Sequence, residues 1–94
     1  MVMKIHFSGT EGVLAVSDMD IIGRTLSQGD LEFKVSRDFY EGSLVTPDVL
    51  LMNAQRMKSV NAVGAYCTGI LIKAGLAKAE NIKTIQGIPH IQIY

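Results

Sequence analysis

The sequence predicts an α+β fold, in which a small, mainly antiparallel sheet carries two helices packed on one face. Three observations lead to this expectation: extended patterns at the start of the chain, helical spacing of apolar residues between residues 46 and 75, and extended patterns again at the end. Strands, then two helices, then strands are typical of α+β architecture. With 94 residues, we expect one domain over residues 1–94.

The first segment predicts a β-hairpin over residues 2–17. Met3, Ile5 and Phe7 recur at every second position, which is the period of a half-buried strand. Two glycines in the segment 8–12 predict the turn, and apolar residues then resume an extended pattern. We therefore expect the three alternating residues to face the core.

The segment after the hairpin shows no clean period. Asp18 or Asp20 is expected to cap a short helical turn that runs through Leu26, and Gly29 is expected to end this irregular segment. Residues 31–36 alternate strictly between apolar and polar side chains. This pattern predicts a strand with one face on the core and the other face in water.

A first helix is predicted to begin at Thr46. The hydroxyl can cap the helix, Pro47 occupies the first helical position, and Asp48 places an acid in the first turn. Arg56 and Lys58 follow near the expected end, where the helix dipole favours positive charge.

A second helix is predicted to be capped by Ser59 or Asn61 and to close at Gly75. Apolar residues between positions 63 and 74 recur three and four apart, and Leu76 can complete a Schellman motif. Small residues form another face of this helix and indicate that something approaches its backbone closely. The first helix or a second subunit is favoured, and a ligand or a nucleic-acid backbone is the alternative. The small residues are Gly64, Ala65, Thr68 and Gly69.

The segment after Asn81 predicts one or two strands around a turn at residues 86–89. His90 and Gln92 fall on one face of the last strand, opposite two isoleucines. This combination places a titratable group and an amide in register, although a solvated strand face gives the same pattern.

The chain has no net charge, but its charge is divided unevenly. Residues 1–48 hold four basic and eight acidic side chains, a net charge of −4, and residues 49–94 hold five basic side chains and one acid, a net charge of +4. Such asymmetry is typical of an anion-binding face or a self-complementary assembly, and two solvated faces of one domain produce it equally well.

Composition excludes several classes of protein. No apolar run approaches the roughly 18 residues that span a bilayer, so we expect no membrane association and a cytoplasmic location. The lone Cys67 excludes an internal disulfide and lies in an apolar stripe, where we expect it to serve packing. A metal site would require His6 and His90 to converge with a carboxylate, and neither a metal nor another cofactor is expected.

Three functional hypotheses follow from these patterns. The first is a non-enzymatic module that binds RNA or a ribonucleoprotein partner, with Tyr40 or Tyr94 stacking on an unpaired base. The second is a structural homo-oligomer, and the third is a small enzyme with His90 as general base. No residue is assigned a catalytic role beyond that last hypothesis. The candidate binding residues are Arg24, Tyr40, Asn61, Lys73, Lys78, Lys83, His90 and Gln92.

Short motifs along nearly the whole chain resemble an archaeal family, domain of unknown function 424. They are Ile22-Gly23-Arg24-Thr25, Gly29-Asp30-Leu31, Phe39-Tyr40-Glu41-Gly42, Asn61-Ala62-Val63-Gly64, Gly75 and Gly87-Ile88-Pro89-His90-Ile91-Gln92. The closing motif is the most specific. Arg24 replaces the family's usual lysine, which keeps the charge and changes its geometry, and Ile88 replaces valine. The resemblance implies an archaeal, cytoplasmic protein for which RNA binding has been suggested and no enzymatic activity is assigned.

Overall fold

The structure, a computed structural model, describes residues 1–93. It contains eight strands, three α-helices and two 3₁₀ turns within that range. In chain order the elements are β1 (Val2–Ser8), β2 (Glu11–Ser17), a 3₁₀ turn (Met19–Ile21), β3 (Thr25–Gln28), β4 (Leu31–Lys34), α1 (Arg37–Tyr40), β5 (Ser43–Leu44), α2 (Pro47–Ala54), β6 (Ser59–Val63), α3 (Ala65–Lys73), a 3₁₀ turn (Ala79–Asn81), β7 (Lys83–Ile85) and β8 (Ile88–Ile93).

Six strands form the main sheet in the order β5-β1-β2-β6-β8-β7, and β3 pairs with β4 in a separate two-stranded sheet. All pairings are antiparallel except the parallel pairing of β2 with β6. Parallel strands need a long connection, and here the chain between them forms β3, β4, α1, β5 and α2. The predicted α+β fold with a mainly antiparallel sheet is confirmed.

The two longer helices pack on one face of the main sheet, as predicted. This side of the sheet, which we call the helix face, buries a cluster of apolar residues between strands and helices. Its fully buried members are Leu14, Val16, Leu50, Ala62, Cys67, Leu71 and Ile91. Alternation along each strand directs these side chains to the same side, so the burial follows from the two-residue period.

The opposite side of the main sheet is covered as well, by the β3–β4 hairpin and α1. We call it the hairpin face. Leu26, Val35 and Tyr40 pack there against Ala15 and Val63 of the main sheet. Residues 31–34 do form a strand, but that strand belongs to the covering hairpin rather than to the main sheet.

Two local predictions are wrong. The helical turn after Asp18 ends at Ile21, and residues 25–28 form a strand instead of continuing that turn to Leu26. Residues 59–63 form β6, so Ser59 and Asn61 are strand residues and do not cap α3. Pairing with β2 on one side and β8 on the other stabilises this short strand, and the local sequence does not predict these partners.

The actual start of α3 depends on a carboxylate from a distant segment. Asp18 Oδ2 accepts a hydrogen bond from the Tyr66 N–H at 2.8 Å, and Asp18 Oδ1 accepts one from the Cys67 N–H at 2.8 Å. Gly64 precedes the helix at φ 116°, and a Cβ there would collide with the Asp18 side chain. Glycine is required by both the backbone conformation and this contact.

The close approach predicted from the small residues is found at Gly64, where it comes from Asp18 of the same chain. Gly64 lies before the helix rather than within it, and a Cβ on Gly69 would meet no atom within 4 Å. Asp18 thus explains the glycine at position 64, and the contact expected at Gly69 is not found within the described chain.

Several terminal signals are confirmed. Thr46 Oγ1 accepts a hydrogen bond from the Val49 N–H at 3.4 Å, with Pro47 at the first helical position. At the end of α3, Gly75 has φ 78°, and the Gly75 and Leu76 N–H groups donate to Ile72 and Leu71, which is the Schellman pattern. No helix in residues 1–93 is long and apolar enough to cross a membrane.

Candidate functional site

Three of the predicted site residues meet on the hairpin face. Asn61 in β6 pairs with Gln92 in β8, and the neighbouring pair in the same two strands joins Val63 to His90. Side chains two residues apart on a strand point to the same face, so Asn61, Gln92 and His90 share one side of the sheet. Tyr40 reaches this side from the end of α1.

Asn61 accepts hydrogen bonds from two side chains through one oxygen. The Tyr40 hydroxyl donates to Asn61 Oδ1 at 2.6 Å, and His90 Nε2 donates to the same oxygen at 2.9 Å. The 2.6 Å separation suits an O–H···O bond better than an N–H···O bond, which supports this orientation of the amide. We call Tyr40, Asn61 and His90 the Asn61 cluster.

The cluster determines the protonation of both donors. Burial and the nearby Lys83 ammonium lower the pKa of His90 below its ordinary value of 6.5, so the ring is neutral near pH 7. Because Nε2 donates to Asn61, the proton of the neutral ring is on Nε2 and Nδ1 carries a lone pair. Burial also raises the pKa of Tyr40, whose hydroxyl remains a donor.

Aromatic contacts hold the cluster in position. The Phe33 ring packs against His90 with centroids 4.7 Å apart and a 46° angle between the planes. Phe39 meets Tyr40 edge to face at 4.9 Å and stacks on His6 at 4.7 Å. His6 Nε2 also donates to the Phe39 carbonyl oxygen at 2.7 Å, so His6 fixes α1 on the sheet.

Beside the cluster lies a groove of about 220 Å³, which we call the amide groove. Its described lining is uncharged and combines apolar walls with a hydroxyl and two amides. The lining residues are Val13, Phe39, Ser59, Val60, Asn61, Gln92 and Ile93. Asn61 Nδ2 has no hydrogen-bond partner within residues 1–93, and no buried side-chain nitrogen or oxygen of that range is unsatisfied. The Nδ2 group is therefore accessible from the groove.

A larger groove of about 550 Å³ opens at the end of the sheet, and we call it the aromatic groove. It lies between the β1–β2 turn and the segment that connects α2 to β6. The lining residues are Phe7, Thr10, Glu11, Gly12, Arg56, Met57, Lys58 and Ser59. Ser59 lines both grooves, so the two grooves adjoin at this residue.

Sequence reasoning missed the aromatic groove because Phe7 was expected to face the core. Met3 is buried and Ile5 is half-buried, but Phe7 is 74% exposed although it continues the same alternation. The period of a strand predicts which side a residue points to, and it does not predict where the covering helices end. Arg56 and Lys58 fit the pattern of cations at a helix end, and that pattern does not predict a groove.

The other predicted residues lie apart from the cluster or at its margin. Lys83 pairs with His90 in the sheet, and Gln92 is exposed beside Asn61. Arg24 is exposed before β3 and does not join the cluster. Lys73 and Lys78 are exposed at and after the end of α3, where Lys78 lies 4.0 Å from Glu80.

Neither predicted stacking tyrosine is assigned that role. Tyr40 is 2% exposed, so its ring has no free face for a base. Tyr94 lies outside the described residues. Tyr40 instead acts as a buried hydrogen-bond donor to Asn61.

Cys67 is buried in the helix face, as expected for a packing residue. Burial, followed by the nearby Asp18 carboxylate, raises the pKa of its thiol, which therefore stays protonated. In the part of the chain that the structure describes, no three histidine, cysteine or acidic side chains are grouped to hold a metal ion.

Comparisons with known proteins match nearly the whole chain. A family model described as a protein of unknown function (DUF424) matches residues 6–94. A crystal structure of an uncharacterized conserved protein from Methanopyrus kandleri is similar over 99% of this chain and 89% of that chain, with a TM-score of 0.83 and 29% sequence identity. No curated protein matches this chain. The structural similarity includes the strands that carry the Asn61 cluster.

Proposed function

We propose that this chain, which belongs to the family of proteins of unknown function DUF424 as its motifs predict, is a non-enzymatic module that binds single-stranded RNA. Because the family has no assigned function, the proposal depends on the surface of the chain itself. One observation carries this proposal: the exposed Phe7 ring shares a groove with Arg56 and Lys58. Proteins that bind single strands combine aromatic platforms for bases with cations that follow the phosphates.

The charges of the aromatic groove favour an anionic ligand. Arg56 and Lys58 are exposed, and neither forms an ion pair within 4 Å in the described range, while Glu11 is the one acid that lines the groove. Unpaired cations can neutralise phosphates and release condensed counterions on binding. The net charge of +4 on residues 49–94 acts in the same direction.

Lys73 supports the proposal from the neighbouring helix. Because α3 begins where β6 ends and packs back along β6 and β8, its last turn lies toward the end of the sheet where the aromatic groove opens. Lys73 in that last turn is exposed. None of the basic candidate binding residues (Arg24, Lys73, Lys78 and Lys83) lines the aromatic groove, and of these Lys73 suits its surroundings best.

The competing hypotheses find less support in the geometry. Tyr40 and His90 both donate to one amide oxygen, and an amide does not pass a proton from one to the other, so the cluster suits positioning better than acid–base catalysis. For a homo-oligomer, Gly64 has an intrachain explanation in Asp18, and β2 and β6 already join the acidic and basic halves in one sheet.

Fluorescence anisotropy with labelled single-stranded oligoribonucleotides at low salt tests the proposal. We expect dissociation constants of tens of micromolar or tighter, with affinity that decreases as salt rises. Phe7→Ala is expected to weaken binding about fivefold or more, since one base stack contributes about 1–3 kcal/mol. Lys58→Ala is expected to reduce the salt slope by about 0.7, the value for one phosphate contact on a single strand.

Tyr66→Ala is the matched control, because Tyr66 is 57% exposed and its backbone N–H binds the Asp18 carboxylate at the other end of the sheet. It should leave RNA affinity unchanged. An RNA duplex offers no unstacked base and should bind more weakly than the single strand. Absence of binding at tens of micromolar, or equal effects of Phe7→Ala and Tyr66→Ala, would contradict the proposal.

A further inference from the structure

We propose that the amide groove holds one unpaired base of the bound RNA and prefers the keto bases, uracil and guanine, to the amino bases, cytosine and adenine. This inference rests on the proposed function and adds base selectivity to it. Ser59 lines both grooves, so a strand that stacks on Phe7 and passes around the end of the sheet can place another base in the amide groove.

The lining of the amide groove suits an uncharged, flat group. The described residues around it carry no charge, so nothing there compensates a phosphate or carboxylate. Phe39 provides an aromatic wall, and its ring is held by His6, with the two planes 12° apart. Val13 and Ile93 add apolar surface. A nucleobase combines a flat apolar face with hydrogen-bonding edges, which matches this lining.

The Asn61 cluster determines the hydrogen bonds that the groove offers. Asn61 Oδ1 already accepts from Tyr40 and His90, so the amide presents its Nδ2 donors to a ligand. Two donors hold the oxygen, which prevents the amide from turning over to present an acceptor. Gln92 pairs with Asn61 in the sheet and is exposed, so its own amide is free to rotate toward the donor or acceptor that a base requires.

A groove with a fixed donor discriminates between keto and amino bases. Uracil O4 and guanine O6 accept hydrogen bonds at the positions where cytosine and adenine carry amino donors. An amino base would place donor against donor at Asn61 Nδ2 and leave both groups without a partner. The expected preference therefore follows from the orientation of one side chain.

Binding of oligouridylate and oligocytidylate of equal length, measured at one salt concentration, tests the inference. Both are pyrimidine strands, so the ratio of their affinities isolates the keto-to-amino change. We expect the wild-type protein to favour oligouridylate about fivefold or more. Asn61→Asp retains an oxygen for Tyr40 and His90 and presents an acceptor to the groove, so the ratio should move toward oligocytidylate or reverse.

Asn81→Asp adds the same charge outside the grooves and serves as control. Asn81 is exposed and its Oδ1 accepts from the Lys78 N–H, a role that a carboxylate oxygen retains. This variant should keep the wild-type ratio. Gln92→Glu provides a second test on an exposed residue if Asn61→Asp lowers stability, and it should shift the ratio in the same direction.

Each outcome distinguishes the two proposals. Equal binding of the two oligomers by the wild-type protein overturns the base selectivity and leaves RNA binding standing. A wild-type preference that Asn61→Asp or Gln92→Glu leaves unchanged also overturns it. No binding of either oligomer overturns the proposed function and this inference together.

Discussion

The two faces of the main sheet are built from the same strands but differ in chemistry. On the helix face, β2, β6 and β8 contribute only apolar side chains, such as Leu14, Ala62 and Ile91. On the hairpin face, the alternate residues of the same strands include Asn61 of β6 and His90 of β8, which belong to a hydrogen-bonded cluster. Strand alternation thus separates a face that stabilises the fold from a face that positions polar groups.

The difference shows how a small protein can hold polar groups without losing stability. Burying a polar group costs free energy unless it is hydrogen-bonded, and within residues 1–93 no buried side-chain nitrogen or oxygen is unsatisfied. The covering hairpin and α1 supply Tyr40 and the aromatic rings that exclude water from one side of the cluster. The helix face needs no such arrangement.

The largest expected effect comes from a cavity in the helix face. Leu71→Ala removes a fully buried side chain of α3, and we expect the free energy of unfolding to fall by about 2–5 kcal/mol. Urea denaturation measures this loss. Because Leu71 lines neither groove, the folded variant should keep the wild-type RNA affinity. A loss below 1 kcal/mol would show that the helix face is not the main source of stability.

The connection between the end of β2 and α3 is expected to contribute next. Asp18→Ala removes the carboxylate that caps α3 through two backbone N–H groups, and we expect a loss of about 2–3 kcal/mol in the free energy of unfolding. Asp20→Ala is the matched control, because Asp20 is an exposed acid in the adjacent turn, and it should change stability by about 0.5 kcal/mol or less. Similar losses in both variants would refute a specific capping role.

The smallest expected effect is a pH dependence from the hairpin face. Burial and Lys83 lower the pKa of His90 in the folded protein, so the unfolded chain binds more protons around pH 6.5. Stability from this residue is complete above pH 6.5 and decreases as the pH falls through 6.5 toward the lower folded pKa. Denaturation between about pH 7.5 and 5.5 should show this decrease in the wild-type protein and a flatter profile in His90→Gln. Identical profiles would mean that His90 titrates alike in both states.

Much of the fold was predictable because its signals are local. The β1–β2 hairpin, the Thr46 cap, the Schellman motif at Gly75 and the closing hairpin all depend on residues close together in the sequence. The β6 strand was not predictable in this way. Ser59 and Asn61 resemble capping residues, and only pairing with β2 and β8 makes their segment a strand.

The candidate site was predicted in part for the same reason. Alternation placed His90 and Gln92 on one strand face, and both are found there. Strand alternation could not predict that Tyr40 is buried against Asn61, because the two residues are 21 positions apart and belong to different elements, α1 and β6. Nor could it show that Phe7 extends beyond the helices into the aromatic groove.

The sequence by itself determined the class of the fold, the two longer helices, most of the strands and the family, because periodicity, caps and short motifs act over a few residues. Tertiary structure alone decided that Asp18 caps α3 from 48 residues away, that Asn61 presents only its donor group, and that two grooves meet at Ser59. These features require segments distant in sequence to approach within hydrogen-bond distance. Such contacts form when packing of the whole chain offsets the entropy of closing long loops, and that balance is not a property of any local stretch of residues.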